Sequence, residues 1–308
     1  MIYTVTLNPA LDRTIWIQSI QNDDPNRIKK EEKYAGGKGI DVSRVLYHLG
    51  VSNRALGFLG GYAGMEIEGM LLQEGIYCDF IRITHETRTN IVLNIESENK
   101  QIIFSAKGAA IEPVELTNLF KKLENLYSAE YIVFSGSLPP GLSPVIYERA
   151  VEIANTLGAA TILDTDGENL KGGLNGKPNI IKPNVHELSR LTGRKLSGID
   201  EIKASALEIR EKGVEIVLVS MGADGILLVS EHETLHAKPP EVNVENTIGA
   251  GDSSVAGFVF GMTKNLSLED CLKYAVAAGT ASTLQPGTAL ANKTEIESLF
   301  EKVKIHNV

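Results

Sequence analysis

Short apolar runs alternate with helical stripes along most of this 308-residue chain, and that alternation leaves few folds open. Residues 2–7, 53–59, 131–134, 160–164, 179–181, 215–220 and 225–229 read as strands. Between them, apolar residues recur at three- and four-residue spacing, the period of a helix with one buried face. Val42, Val45, Leu46 and Leu49 form the first such stripe, and Gly50 stops it. Leu116, Leu119, Phe120 and Leu123 form another. Further helices are expected near 64–74, 200–212, 250–264, 268–284 and 293–304. Ser143-Pro144 reads as the N-cap and first residue of a helix running to about Leu157. Strands joined through helices run parallel, and a parallel sheet needs helices on both faces. The expected fold class is therefore α/β, with a mostly parallel central sheet between two helical layers.

Two segments break the alternation. Residues of about 11–35 are strand-like and polar, and 88–95 with 101–106 read as a hairpin turning at Glu98-Asn99-Lys100. The expectation is that segments 11–35 and 86–107 pair in space as a small separate sheet, a lid over the strand ends where α/β proteins bind ligands. The organisation expected is one domain over 1–308, its lid built from these discontinuous segments.

Acidic residues outnumber basic ones by 39 to 30, for a net charge of −9. That argues against general binding to nucleic acid or to a membrane surface, while leaving room for a local basic pocket. Cys78 and Cys271 lie far apart, and neither has a Cys or His at zinc-ligand spacing. No apolar run is long enough to span a bilayer, and the opening MIYTVTLNPALD has no basic leader, so a cytoplasmic protein is expected.

The chemistry concentrates in five loops. Asn246-Thr247-Ile248-Gly249-Ala250-Gly251-Asp252 opens an apolar helix with two glycines and a carboxylate in its first turn. Glycines let backbone N–H groups approach a ligand, and a helix N-terminus favours negative charge there. An anion cradle beside a base is what phosphoryl transfer to a hydroxyl requires, although Asp252 taken singly also reads as a helix-dipole acid. Gly36-Gly37-Lys38-Gly39 suits close backbone approach to a polar ligand and equally suits a turn into the next helix. It is not a Walker A loop, since no Ser or Thr follows the lysine. In Lys182-Pro183-Asn184-Val185-His186-Glu187, Asn184 and Glu187 share a helix face and could hold Mg²⁺ through its waters. The same pair also reads as a capping box. Ser135–Gly141 is a rigid loop after a buried strand, and Ser220–Gly225 joins two apolar strands through a hairpin turn. Arg27, Lys38, Arg88 and Lys107 fall in or beside the lid and the glycine loop. If they converge, they make a cationic pocket for a substrate that already carries phosphate.

These motifs, in this order, resemble the PfkB or ribokinase-like sugar kinases over essentially the whole chain. Asn8-Pro9-Ala10-Leu11-Asp12 and Arg88-Thr89-Asn90 are most similar to the 1-phosphofructokinase and tagatose-6-phosphate kinase branch. The resemblance implies a ribokinase-like three-layer sandwich with a small β lid, a requirement for ATP and Mg²⁺, and pairing of lids in a homodimer. It implies Asp252 as catalytic base, with the amides of Gly249, Ala250 and Gly251 as the anion hole. Asp12, Gly36, Gly37, Asp41 and Ser137 would meet the sugar, and Lys38, Arg88 and Arg27 its existing phosphate. Lys182, Asn184, Ser220, Gly222, Thr247, Gly249, Gly251, Gly279 and Ser282 would surround the nucleotide. Asn184 and Glu187 would organise Mg²⁺ through water. One departure stands out. Where the family pattern has Asn two residues after GGKG, this chain has Asp41, and an ionised carboxylate only accepts hydrogen bonds whereas Asn also donates. The expected reaction is conversion of fructose 1-phosphate to fructose 1,6-bisphosphate, with tagatose-6-phosphate kinase or 6-phosphofructokinase activity as alternatives. A sensor that binds sugar phosphate or nucleotide without catalysis is the rival of another class.

Overall fold

The computed structural model describes residues 1–285 and 289–308. The chain begins with β1 (Ile2–Thr6), β2 (Ala10–Ile17), β3 (Lys30–Gly36), α1 (Lys38–His48), β4 (Asn53–Gly60) and α2 (Gly61–Gln73). Short strands β5 (Tyr77–Cys78) and β6 (Ile81–Ile83) precede the hairpin of β7 (Arg88–Ile95) and β8 (Lys100–Phe104). Alternation resumes with α3 (Pro113–Glu124), β9 (Tyr131–Ser135), α4 (Val145–Thr156), β10 (Ala160–Asp164), α5 (Gly167–Leu174) and β11 (Ile180–Ile181). Then come α6 (Val185–Thr192), α7 (Ile199–Arg210), β12 (Ile216–Ser220), β13 (Ile226–Val229) and β14 (Thr234–Lys238). The chain closes with α8 (Ala250–Thr263), α9 (Leu268–Thr283), α10 (Lys293–Phe300) and β15 (Lys304–Asn307).

The central sheet runs β15-β14-β13-β12-β11-β10-β9-β1-β4-β5, with β6 also on β4. From β12 to β5 every pairing is parallel, and β12 to β15 pair antiparallel. The central parallel strands are buried, as strands covered on both faces must be: β1 and β9 carry Ile2, Val5, Ile132, Val133 and Phe134 at 2% exposure or less. One helical layer packs α1, α8, α9 and α10 residues such as Val45, Phe258, Ala278 and Ile296 against the sheet. The other packs Leu119, Tyr147, Val151, Leu188 and Ile209 against its opposite face. Together these give the α/β three-layer arrangement expected from the alternation.

The two strand-rich segments pair with each other in a four-stranded sheet of order β3-β2-β7-β8. The β2–β7 pairing is parallel, with Ala10 opposite Arg88 and Asp12 opposite Asn90. Beneath this sheet Leu11, Ala35 and Ile40 close a third core with Ala63, Ile67 and Leu71 of α2.

The last helix is shorter than its periodicity suggests. It stops at Phe300, and Lys304–Asn307 turns back as an edge strand on β14. Residues 234–238 likewise form a strand that apolar run length did not reveal, because only Leu235, His236 and Ala237 are buried in it. Ser143-Pro144 sits one residue earlier than expected: Pro144 is the N-cap, and the Ser143 hydroxyl accepts from the Val145 N–H.

Helix α8 carries the catalytic-type signature and is almost wholly buried, from Asp252 to Gly261. Its close approach to α9 depends on Gly257, where a β-carbon would lie 2.3 Å from the Tyr274 carbonyl oxygen. A side chain there must push the two helices apart. Gly257→Val is expected to cost about 3 kcal/mol of stability, since overpacked cores lose roughly 1–3 kcal/mol and sometimes more. Urea unfolding checks this; a change below about 0.5 kcal/mol would show that α8 and α9 can separate freely.

Candidate active site

The carboxyl ends of the parallel strands deliver the site. β1 ends toward Asn8, β9 toward Ser137, β10 in Asp164, β11 toward Lys182 and β12 in Ser220. This is the rim where open α/β sheets bind ligands. Asp164 is buried and sits at its centre, 3.2 Å from Lys38 Nζ and 3.5 Å from Lys182 Nζ. One carboxylate from β10 thus holds two ammonium groups, one from the glycine loop before α1 and one from the end of β11. The Lys182 ammonium also lies over Gly251, 3.3 Å from where a β-carbon would be.

Asp252 completes the cluster from the first turn of α8. Gly249 caps that helix in the left-handed region, with φ of 74°, which a side chain would strain. The first-turn N–H groups of α8 have no partner inside the helix; that of Ala250 reaches the Thr247 carbonyl at a long 3.4 Å, and the turn as a whole favours an anion. Burial, and then the neighbouring Asp164 charge, push the Asp252 carboxyl up to about 7, while Lys38 and Lys182 pull the other way. Asp252 is therefore poised to take or hold a proton near neutral pH. Burial works against the Lys38 charge, but Asp164, Asp252 and Glu187 together hold its ammonium above the ordinary lysine range. Burial also opposes ionisation of Asp164, yet Lys182 and Lys38 keep it below the usual carboxylate range.

Beside this cluster runs a cleft of about 990 Å³. Asn184, Ser220, Gly222, Thr247, Ala250, Gly251 and Gly279 line it, with Pro239–Val244 opposite. Its size suits a nucleotide, and the α8 N-terminus lies at its anionic end. Asn184 and Glu187 form a reciprocal capping box: each side chain accepts from the other's backbone N–H at 2.8 Å. One Glu187 oxygen remains free of that box. Among the described residues no three acidic, histidine or cysteine side chains gather as a metal cage. That donor set fits Mg²⁺, which takes few protein ligands and keeps waters and phosphate oxygens. His186 is exposed on the surface.

The sugar-side residues divide. Asp12 accepts from Asn90 Nδ2 at 2.8 Å and lies against Gly36, and burial raises its carboxyl above the ordinary range. Asn8 ties the rim together by donating to the Lys107 carbonyl at 3.0 Å and to Ser137 Oγ at 3.2 Å. Asp41, on α1, is repelled by the charges of Asp252 and Asp12.

The four cations do not converge as one pocket. Lys38 sits on Asp164. Arg88 donates to the carbonyls of Asn8 (2.8 Å), Pro9 (3.3 Å) and Ala106 (2.8 Å), leaving two of its five N–H groups. Lys107 is exposed. Arg27 lies in the exposed connection beyond the Trp16–Lys30 end of the β2–β3 ladder, opposite the Gly36 end that meets the site. Arg27 therefore does not belong to the site of its own chain. Ser282 is likewise corrected: it is fully buried, bonded to Ser253 Oγ at 2.7 Å between α8 and α9, and does not face the cleft. Asp164 is the residue that sequence reasoning missed. Its only signal was a strand-terminal acid in Leu163-Asp164-Thr165, and its Lys38 partner is 126 residues away.

Residues 5–295 match the family model for pfkB family carbohydrate kinases. The chain is 37% identical to a 1-phosphofructokinase of Borreliella burgdorferi, covering 100% of this chain and 99% of that protein. It is 35% identical to a tagatose-6-phosphate kinase of Staphylococcus epidermidis, covering 100% of both. Among solved structures, phosphofructokinase-2 from Escherichia coli in complex with substrates and products superposes with a TM-score of 0.91 at 33% identity, over 98% of each chain.

If Asp164 raises Asp252 by like charge, Asp164→Asn should lower the midpoint of the Asp252 carboxyl, because Lys38 and Lys182 are then opposed by burial alone. Carbon-13 carboxyl shifts of aspartate-labelled protein report this. An unchanged or higher midpoint would refute the coupling.

Proposed function

The chain belongs to the pfkB family of carbohydrate kinases, and from that premise we propose that it is a sugar-phosphate kinase moving the terminal phosphoryl group of ATP onto fructose 1-phosphate. The product is fructose 1,6-bisphosphate. The observation that carries the reading is the arrangement of Asp252 at the α8 N-terminus with Lys38 and Lys182 beside it on Asp164.

In this reading Asp252 accepts the proton of the acceptor hydroxyl as its oxygen attacks the terminal phosphorus. The bond from that phosphorus to the bridging oxygen breaks, and ADP leaves. Negative charge spreads over the phosphoryl oxygens in such a transfer, so catalysis is mostly positioning and electrostatic stabilisation. The amides of Gly249, Ala250 and Gly251 and the two ammonium groups lie where that charge would develop. Asp164 holds both lysines in place through its ion pairs. The adenosine would lie along Ser220, Gly222, Thr247 and Gly279 in the cleft. Asn184 and Glu187 would hold Mg²⁺ through water, and the ion when bound would neutralise phosphate charge.

On the sugar side, Asp12, Asp41, Ser137 and the Gly36–Gly37 backbone would meet hydroxyls, and the two remaining Arg88 N–H groups would reach the resident phosphate. The four-stranded sheet would act as the lid. Its β8 edge, with Ile103 and Phe104 exposed, is the surface through which two copies would pair.

The full-length similarity to a tagatose-6-phosphate kinase favours tagatose 6-phosphate as the second substrate reading. ADP release from MgATP, measured with fructose 1-phosphate, tagatose 6-phosphate, fructose 6-phosphate and fructose in parallel, separates the readings. The expected result is highest kcat/KM on fructose 1-phosphate, and a fall in kcat of about 10²–10⁴-fold in Asp252→Asn, the usual worth of a general base. Preference for free fructose, or near-normal turnover in Asp252→Asn, would overturn the assignment. Nucleotide binding with no transfer to any acceptor would favour a sensor.

A further inference from the structure

The company kept by Asp41 sets it apart from the other polar groups of the site. Its side chain is only 18% exposed. The negative charges of Asp252 on α8, Asp12 on β2 and Glu74 at the end of α2 all act against its ionisation. Among the described residues the one cation paired with it is Arg44, a turn further along α1, which approaches to 3.9 Å and so makes no hydrogen bond. Arg44 is committed elsewhere. Its Nε bonds both Glu74 oxygens, at 3.2 and 2.9 Å. Its Nη1 is buried with no acceptor, in a side chain only 9% exposed. Among the described residues nothing donates a hydrogen bond to the Asp41 carboxyl. A largely buried carboxylate without donors, under the like charges of other acids, is the unfavourable form of the group.

We propose that Asp41 works as a neutral carboxylic acid that donates a hydrogen bond to a sugar hydroxyl, and that its ionisation at alkaline pH closes the sugar pocket. This rests on the kinase reading above and deepens it. A protonated carboxyl donates and accepts, as an amide does, so neutral Asp41 can do what Asn does at the same place in the related pattern. Burial, and then the Asp252 charge, push its carboxyl well above the usual range, with Asp12 and Glu74 adding to the rise and Arg44 opposing it. The two acids titrate as a pair. Loss of the Asp252 proton makes the base. Loss of the Asp41 proton removes the donor and adds a charge that acts on the base. An Asn in this position could supply the donor but not the pH dependence.

Two measurements test this. The first needs no substrate: carbon-13 carboxyl titration of aspartate-labelled protein, with Asp41→Asn identifying the resonance. Asp41 should be protonated at pH 7 and ionise only above it; an Asp41 carboxylate at pH 7 overturns the proposal. The second is KM for whichever ketohexose phosphate the substrate panel selects, followed from neutral to alkaline pH. Wild type should show sugar KM rising about tenfold per pH unit once Asp41 ionises, with KM for ATP following no such limb. Asp41→Asn should lose the limb. Glu74→Gln should move it to lower pH, since it removes a like charge and frees the Arg44 guanidinium for Asp41. An alkaline limb that survives in Asp41→Asn, or is absent from wild type, overturns the proposal. Silence across the whole panel would sink the kinase reading, and the carboxyl titration would still decide the state of Asp41.

Discussion

One buried carboxylate, Asp164, holds two lysines that the chain brings from opposite directions, and the site depends on that bridge. Removing charges from water costs several kcal/mol per ion unless they are paired. Asp164 has no surface exposure in its side chain, and Lys182 has only 5%. The ion pairs to Lys182 and Lys38 offset that cost for Asp164. With Lys38 the count is two positive charges to one negative, and the surplus faces the α8 N-terminus. Asp252 sits in that field, pulled down by the lysines and pushed up by burial and Asp164. A base balanced near neutrality and a surplus of positive charge are two consequences of the same contact.

The scaffold serves this contact by ending strands at a common rim. β10 supplies Asp164, β11 leads into Lys182, and α8 is clamped between α1 and α9 by residues as small as Gly257. The register of β9, β10 and β11 fixes the first two. The sugar side is built differently. There, Asn8, Arg88 and Asn90 knit loops and the small sheet together through backbone carbonyls and Asp12. That side is tied to the small sheet, the division that the proposed closing lid would need.

Much of the fold was legible because helix and strand periods differ and strands buried on both faces are uniformly apolar. The β3-β2-β7-β8 sheet was legible for the opposite reason: its strands are half-exposed and interrupt the alternation. What escaped were short or edge strands such as β14 and β15, where four or five residues carry too little pattern. In the site, Asp252, Lys182 and the glycine loops announced themselves through local motif chemistry. Asp164 did not, since a lone acid at a strand end has no local signature and its meaning comes from Lys38, distant in sequence. Arg88 and Ser282 illustrate the converse. Their residue types suited ligand contact, but the guanidinium is largely taken by three carbonyls, and the hydroxyl is consumed between two helices. Side-chain direction and prior hydrogen bonding are three-dimensional facts that residue type does not encode.

The central claim is that Lys38, Lys182 and the α8 N-terminus together receive the phosphoryl group in flight, with Asp252 on the attacking oxygen. A crystal structure with MgADP, aluminium fluoride and the preferred ketohexose phosphate tests it most directly. The account predicts the fluoride plane against the Gly249–Gly251 amides, both ammonium groups on it, and the acceptor hydroxyl within hydrogen-bond distance of Asp252. A fluoride plane away from Lys182, or an acceptor hydroxyl facing a group other than Asp252, would contradict it.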